Sequence, residues 1–187
     1  MSEKLFFIAL VPPEPISREV EAFKQLARER FHSERALRSP AHITLFPPFF
    51  WQETKSGLLK EVLKEFAAEQ FPFEVELRHF ACFKPRVIFI HPLLSTSFEH
   101  LHTALALRLE DRLGLFSEDK RSFHPHMTIA FKDLKREVFP EAWAYFGKIS
   151  YHRTFLADRL ALLNHRSHNW EIDEVYAFEG VGEEKTR

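Results

Sequence analysis

Glycine is scarce, with five in 187 residues. Phosphate-cradling loops depend on it, because they need left-handed backbone and close backbone approach. The chain contains neither common form of Gly-rich phosphate loop and no Gly-x-Ser-x-Gly elbow. ATP-driven ligation, dinucleotide binding and serine-hydrolase chemistry are therefore not expected. Cys82 is the single cysteine, which rules out an intramolecular disulfide and a multi-cysteine zinc site. No charge of one sign dominates: 26 Lys and Arg face 27 Asp and Glu, for a net charge of −1. Any recognition of anions must then be local. Long hydrophobic runs are missing as well. Leu5–Val11 is too short to cross a membrane and ends in Pro12-Pro13 without a cleavage pattern. It reads as a first strand, in a cytoplasmic protein.

Phenylalanine, by contrast, is abundant at 21 residues, and 45% of the chain is hydrophobic. That suffices for a real core in one domain of this length. After the first strand, Ile16, Val20, Phe23, Leu26, Ala27 and Phe31 fall on one helical face. His42–Phe49 reads as a strand whose Pro47-Pro48 ends its pairing or puts it at an edge. A helical stripe follows over residues 54–69, then an alternating strand over 71–83. The order then repeats. A buried strand occupies Arg86–His91, and a helix over 96–113 opens with a Thr96-Ser97-Phe98-Glu99 capping box. Strand His126–Phe131, a short helix over about 136–146 and a strand Thr154–Asn164 complete the second pass. A last strand covers about 171–178. The expected architecture is α+β: one bilobal domain over 1–187, with repeat halves 4–83 and 86–164 related by a pseudo-two-fold axis. Antiparallel sheets would line a central cleft, with helices on the outer faces.

Two triplets stand at equivalent places in this repeat, about 84 residues apart: His42-Ile43-Thr44 and His126-Met127-Thr128. On a strand, the His and Thr of each share one face, while the apolar residue between them points to the core. Composition alone gives roughly 0.4 His-x-Thr triplets, and this chain has three. The third, His152-Arg153-Thr154, has a charged centre and no counterpart in the first half, so it reads as incidental. Paired histidines suit chemistry at a phosphate near neutral pH. One, neutral, takes a proton from the attacking oxygen, and the other, protonated, gives one to the leaving oxygen. Each Thr hydroxyl can donate to a non-bridging oxygen, where negative charge builds.

The paired triplets resemble the signature of the two-histidine phosphoesterase superfamily. Within it, the flanks Pro47-Pro48-Phe49, Pro85-Arg86-Val87-Ile88-Phe89 and Phe123-His124-Pro125 are similar to the 2′-5′ RNA ligase and cyclic phosphodiesterase branch. The resemblance implies a bilobal fold and action on 2′,3′-cyclic phosphate ends of RNA or nucleotides, or on 2′-5′ linkages with reversible ligation. It implies no metal, ATP or other cofactor. His42 and His126 would form the acid–base pair, and Thr44 and Thr128 would hold the phosphate. Relatives carry an Arg soon after the second motif; here Phe131-Lys132 follows, so Lys132 would supply a point charge in place of a fork.

Lys120, Arg121, Lys132, Lys135 and Arg136 crowd the second motif and are candidates for a positive rim, with Arg121 and Lys132 foremost. Phe46, Phe83, Phe131 and Trp170 are candidates to stack on a base, with Phe83 and Phe131 foremost. The expected partner is a nucleotide or RNA end bearing a cyclic phosphate, with no membrane and no obligate protein partner. Two rival readings remain: a metal-dependent barrel enzyme using His124 and His126, and an RNA-end binding module without turnover.

Overall fold

The computed structural model describes residues 2–117 and 122–180. Within them the order is β1 (Glu3–Leu10), α1 (Ile16–Phe31), β2 (Ile43–Gln52), α2 (Ser56–Ala68), β3 (Phe73–Phe83) and β4 (Val87–Pro92). There follow α3 (Thr96–Leu113), β5 (Met127–Ala130), α4 (Phe139–Phe146), β6 (His152–Ala157), β7 (Arg159–Arg166) and β8 (Asn169–Ala177). A 3-10 turn, Arg35–Arg38, lies between α1 and β2. The fold is α+β, with two four-stranded sheets ordered β2-β1-β7-β8 and β5-β4-β3-β6. All pairings are antiparallel. The two orders match position by position. In each sheet a motif strand sits at the edge, next to the strand that precedes it by one helix.

Alternation explains the layering. In β1, Phe6, Ile8 and Leu10 point into the main core, where the stripe Ile16, Val20, Ala27 and Phe31 of α1 also lies. In β4, Ile88 and Ile90 do the same, in a core shared with Phe98, Leu101, Leu105 and Leu109 of α3. Phe7 and Ala9 face the other way and form a small second cluster with Ala161 and Leu163 of β7, against which Trp170 packs. Phe7 and Trp170 on this second face line a cavity together with His42 and Thr44. No helix among the described residues is long and apolar enough to cross a membrane.

Several boundaries differ from expectation. Thr154–Asn164 is not one strand. It breaks at Asp158 into β6, which joins the second sheet, and β7, which joins the first. The Asp158 carboxylate binds Arg159 at 2.7 and 2.9 Å, and its carbonyl accepts the Phe178 amide at 2.7 Å. An apolar run that crosses between sheets keeps its hydrophobicity, so periodicity does not reveal the crossing. Likewise β3 pairs with β4 and β6, in the sheet that carries the second motif. The cap of α3 is Ser95, whose hydroxyl accepts the Phe98 amide at 3.2 Å; the expected box begins one residue later. Pro47-Pro48 lies on an edge strand as anticipated, at a register shift opposite Phe7, where missing amides cost no ladder bonds.

Candidate active site

Each strand carrying a motif starts one residue after its histidine, at Ile43 and Met127. The alternation holds in both. Ile43 and Leu45 are buried while Thr44 is half-buried; Met127 and Ile129 are buried while Thr128 is half-buried. Residues paired across antiparallel strands share a face. Thr44 pairs with Ala9, and Thr128 pairs with Phe89. Thr44 therefore lies on the Phe7–Ala9 face of one sheet and Thr128 on the Phe89 face of the other.

The two imidazoles are held in the same way. His42 Nδ1 donates to the carbonyl of Pro40 at 2.7 Å, and His126 Nδ1 donates to the carbonyl of His124 at 2.8 Å. A carbonyl oxygen can only accept, so Nδ1 carries the proton in each ring, and Nε2 is the nitrogen that exchanges one. Each ring also rests on a phenylalanine from the neighbouring strand. Phe7 lies 4.8 Å from His42, and Phe89 lies 5.7 Å from His126, measured between ring centroids. The repeated unit is thus larger than the triplet: a carbonyl two residues back, a histidine, a threonine and an aromatic floor. The floor could have been suspected from Phe7 and Phe89, which have opposite parity to the core residues of their strands.

β2 and β5 are edge strands of different sheets, and they come close to one another. A charge on His126 is felt at His42. The His42 imidazole is held down at about 4, first by burial, against which the Pro40 carbonyl pulls upward; the charges of Lys24 and His126 push it down further. His42 is therefore neutral at pH 7.

A cavity of about 310 Å³ opens beside His42 and Thr44. Phe131 and Lys132, expected from the sequence, line it, as does Trp170. Lys132 has a left-handed backbone (φ 55°), and its ammonium lies 5.5 Å from the Phe131 ring centre. Arg35, Arg38, His165 and His168 also line it, and no carboxylate is among the lining residues. Sequence reasoning missed these four: the arginines lie in a turn ahead of the motif, and the histidines lie at the β7–β8 hairpin. The turn is fixed by Asp133, beyond β5. Its carboxylate accepts the amides of Glu34 and Arg35 at 2.8 and 2.9 Å and the Ser33 hydroxyl at 2.8 Å.

Other expected residues are distributed differently. Phe83 sits beside the second motif, 5.5 Å from His126 and 5.0 Å from His124, with 38% of its surface exposed. Phe46 is 3% exposed and belongs to the core, so it is not a stacking surface. Arg121, with Lys120, lies outside the described residues. Lys135 and Arg136 are exposed and do not line the cavity. The third triplet is elsewhere: His152 pairs with Glu76 at 2.9 Å, and Thr154 lines a separate, mostly apolar cavity. The barrel reading fails on architecture, because the strands form two four-stranded sheets. His124 stacks on His91 at 5.7 Å, and among the described residues no group of three or more His, Cys, Asp or Glu is placed to hold a metal ion.

Two edge strands, one in each sheet, thus carry matched motifs, each with a histidine just before its first residue and a threonine at its second. Residues 12–169 match the 2′-5′ RNA ligase superfamily, and the chain belongs to that superfamily. An RNA 2′,3′-cyclic phosphodiesterase of Bacillus subtilis (strain 168) is 30% identical over 145 residues, which cover 74% of this chain and 75% of that protein. Among solved structures, TT0787 of Thermus thermophilus superposes with a TM-score of 0.71 at 19% identity, covering 95% of this chain and 99% of that one. LigT of E. coli, complexed with 3′-AMP, superposes with a TM-score of 0.63 at 14% identity over 95% and 99% of the two chains.

Proposed function

We propose that this protein is a metal-independent phosphodiesterase that opens 2′,3′-cyclic phosphates at RNA ends or on nucleotides, with His42 and His126 dividing the proton transfers. The observation that carries this reading is the matched wiring of the two imidazoles, each with Nδ1–H on the carbonyl two residues back and Nε2 as the exchanging nitrogen. Neutral His42 is the base: its Nε2 takes a proton as water attacks phosphorus. Protonated His126 is the acid: it gives its proton to the ribose oxygen that leaves, so one P–O bond forms as one breaks. Thr44 and Thr128 donate to the non-bridging oxygens, whose charge rises in the transition state. With a 5′-hydroxyl in place of water as the nucleophile, the same two proton transfers join RNA ends through a 2′-5′ linkage, the 3′-oxygen leaving as the P–O bond to the 5′-oxygen forms; run backwards, with the histidines' roles exchanged, they reopen it. Arg35, Arg38 and Lys132 supply the local positive field that the near-neutral chain lacks overall. Phe83 and Phe131 offer ring faces to a base.

The test is incubation with 2′,3′-cyclic nucleotides and with an RNA ending in a cyclic phosphate, in excess chelator, with the product identified. Turnover to a 2′-phosphate, lost in H42A and in H126A, is expected. Activity only with added metal, or tight binding of the RNA end without turnover, would contradict the proposal.

A further inference from the structure

Lys24 occupies a place where lysine is seldom found. It lies on the buried stripe of α1 between Val20 and Ala27 and is 2% exposed. Its ammonium donates to Glu21 Oε1 at 2.8 Å and to the carbonyl of Ser39 at 2.8 Å. Ser39 lines the cavity and precedes Pro40, whose carbonyl holds His42 Nδ1. A chain of contacts therefore runs from the interior of α1, through Ser39 and Pro40, to the imidazole.

We propose that Lys24 is a positioning residue for His42: from inside the core it clamps the peptide that presents the imidazole, and it places a buried positive charge behind it. The inference rests on the proposed role of His42 as base. A leucine here would complete the apolar stripe and avoid the cost of burying an ammonium, so packing alone does not account for a lysine. The Ser39 carbonyl explains half of it, since a buried acceptor needs a donor. The charge explains the rest. Glu21, its counter-ion, has a side chain 39% exposed, so water screens the carboxylate more than the ammonium. The charge of Lys24 acts on His42 in the direction that favours the neutral ring. The other charged or titratable groups around His42 are His126, Arg35, Arg38 and Lys132, with His165 and His168 at the hairpin. None is a carboxylate, so among the described residues nothing lining the cavity opposes Lys24.

The test pairs K24M with K24Q in the full chain. Glutamine keeps a donor for Ser39 and removes the charge; methionine removes both. The His42 imidazole is titrated by NMR, a readout independent of turnover, and kcat/KM is followed against pH. Both variants are expected to titrate His42 at higher pH than the wild type and to move the acid limb of kcat/KM upward with it. K24M additionally loses roughly tenfold in kcat/KM on the plateau, the scale of one buried hydrogen bond, and K24Q recovers most of that loss. An unchanged His42 titration in folded K24Q overturns the electrostatic part. Equal plateau rates in K24M and wild type overturn the clamp. If K24M does not fold, K24Q alone decides the charge, and K24A with added alkylamine decides the clamp by rescue or its absence. A wild type that titrates as described but turns over no cyclic phosphate would reject the proposed function and leave the Lys24–His42 coupling standing.

Discussion

Asp133 accepts a hydrogen bond of 2.8 Å from the hydroxyl of Ser33, a residue 100 positions earlier and fully buried. The same carboxylate caps the 3-10 turn that carries Arg35 and Arg38. One side chain thus ties the loop after the second motif to the turn before the first. Removing it leaves a buried hydroxyl and two amides without their acceptor. D133A is expected to lose about 1–3 kcal/mol of stability and to raise KM for a cyclic phosphate substrate with a smaller effect on kcat. Urea denaturation and steady-state kinetics check both parts.

Arg35 and Arg38 line the cavity but contribute neither proton transfer nor a hydroxyl to the proposed chemistry. Their contribution should be electrostatic binding of phosphate. In R35A/R38A, KM for an RNA end rises while kcat for a cyclic mononucleotide changes little. The slope of log kcat/KM against log salt should flatten by about one unit for each phosphate that the arginines no longer neutralise. A slope identical to that of the wild type would remove these residues from the binding surface.

The phenylalanine floors make a paired prediction. Phe7 and Phe89 are 3% and 1% exposed, each beneath one imidazole. Truncation of either opens a cavity and should cost roughly 3–5 kcal/mol. The leucine variants should keep most of that stability and still lose activity, because the ring that seats the histidine is gone. Thermal denaturation beside a cyclic phosphodiesterase assay separates the two effects.

The pH dependence follows from His42, held at about 4 by burial. In its proposed role as base it fails only once protonated, so the acid limb of kcat/KM should fall near pH 4 and not near the 6.5 of a free imidazole. Stability moves the same way. The unfolded chain takes up this proton at about 6.5, while the folded chain resists until about 4. Between those values the unfolded state binds more protons, and stability declines as pH falls through the window. The full shift corresponds to at most roughly 3 kcal/mol, and H42Q should lose this part of the pH dependence of unfolding.

Much of this was legible in the chain itself. The His-x-Thr spacing and its place after a strand and a helix give the motif strands and their duplication, because alternation on a strand is local geometry. The exchange of β3 and β7 between sheets was not legible, since which strands pair is decided by tertiary contacts that hydrophobic periodicity does not encode. Lys24 was overlooked for a related reason. It sits on an apolar stripe, and only the three-dimensional placement of the Ser39 carbonyl accounts for a charge there. Arg35, Arg38, His165 and His168 come from turns and a hairpin tip, where no periodic signal points to a shared cavity.

For this chemistry to work, both imidazoles must reach one phosphorus atom. A crystal structure with vanadate or a nucleoside 2′-phosphate puts that requirement to the test. The expected result is a single bound anion with Nε2 of His42 and Nε2 of His126 each about 3 Å from its oxygens, and with the Thr44 and Thr128 hydroxyls on the remaining ones. An anion held by Arg35 and Arg38 alone, out of reach of either histidine, would refute the shared-phosphate scheme.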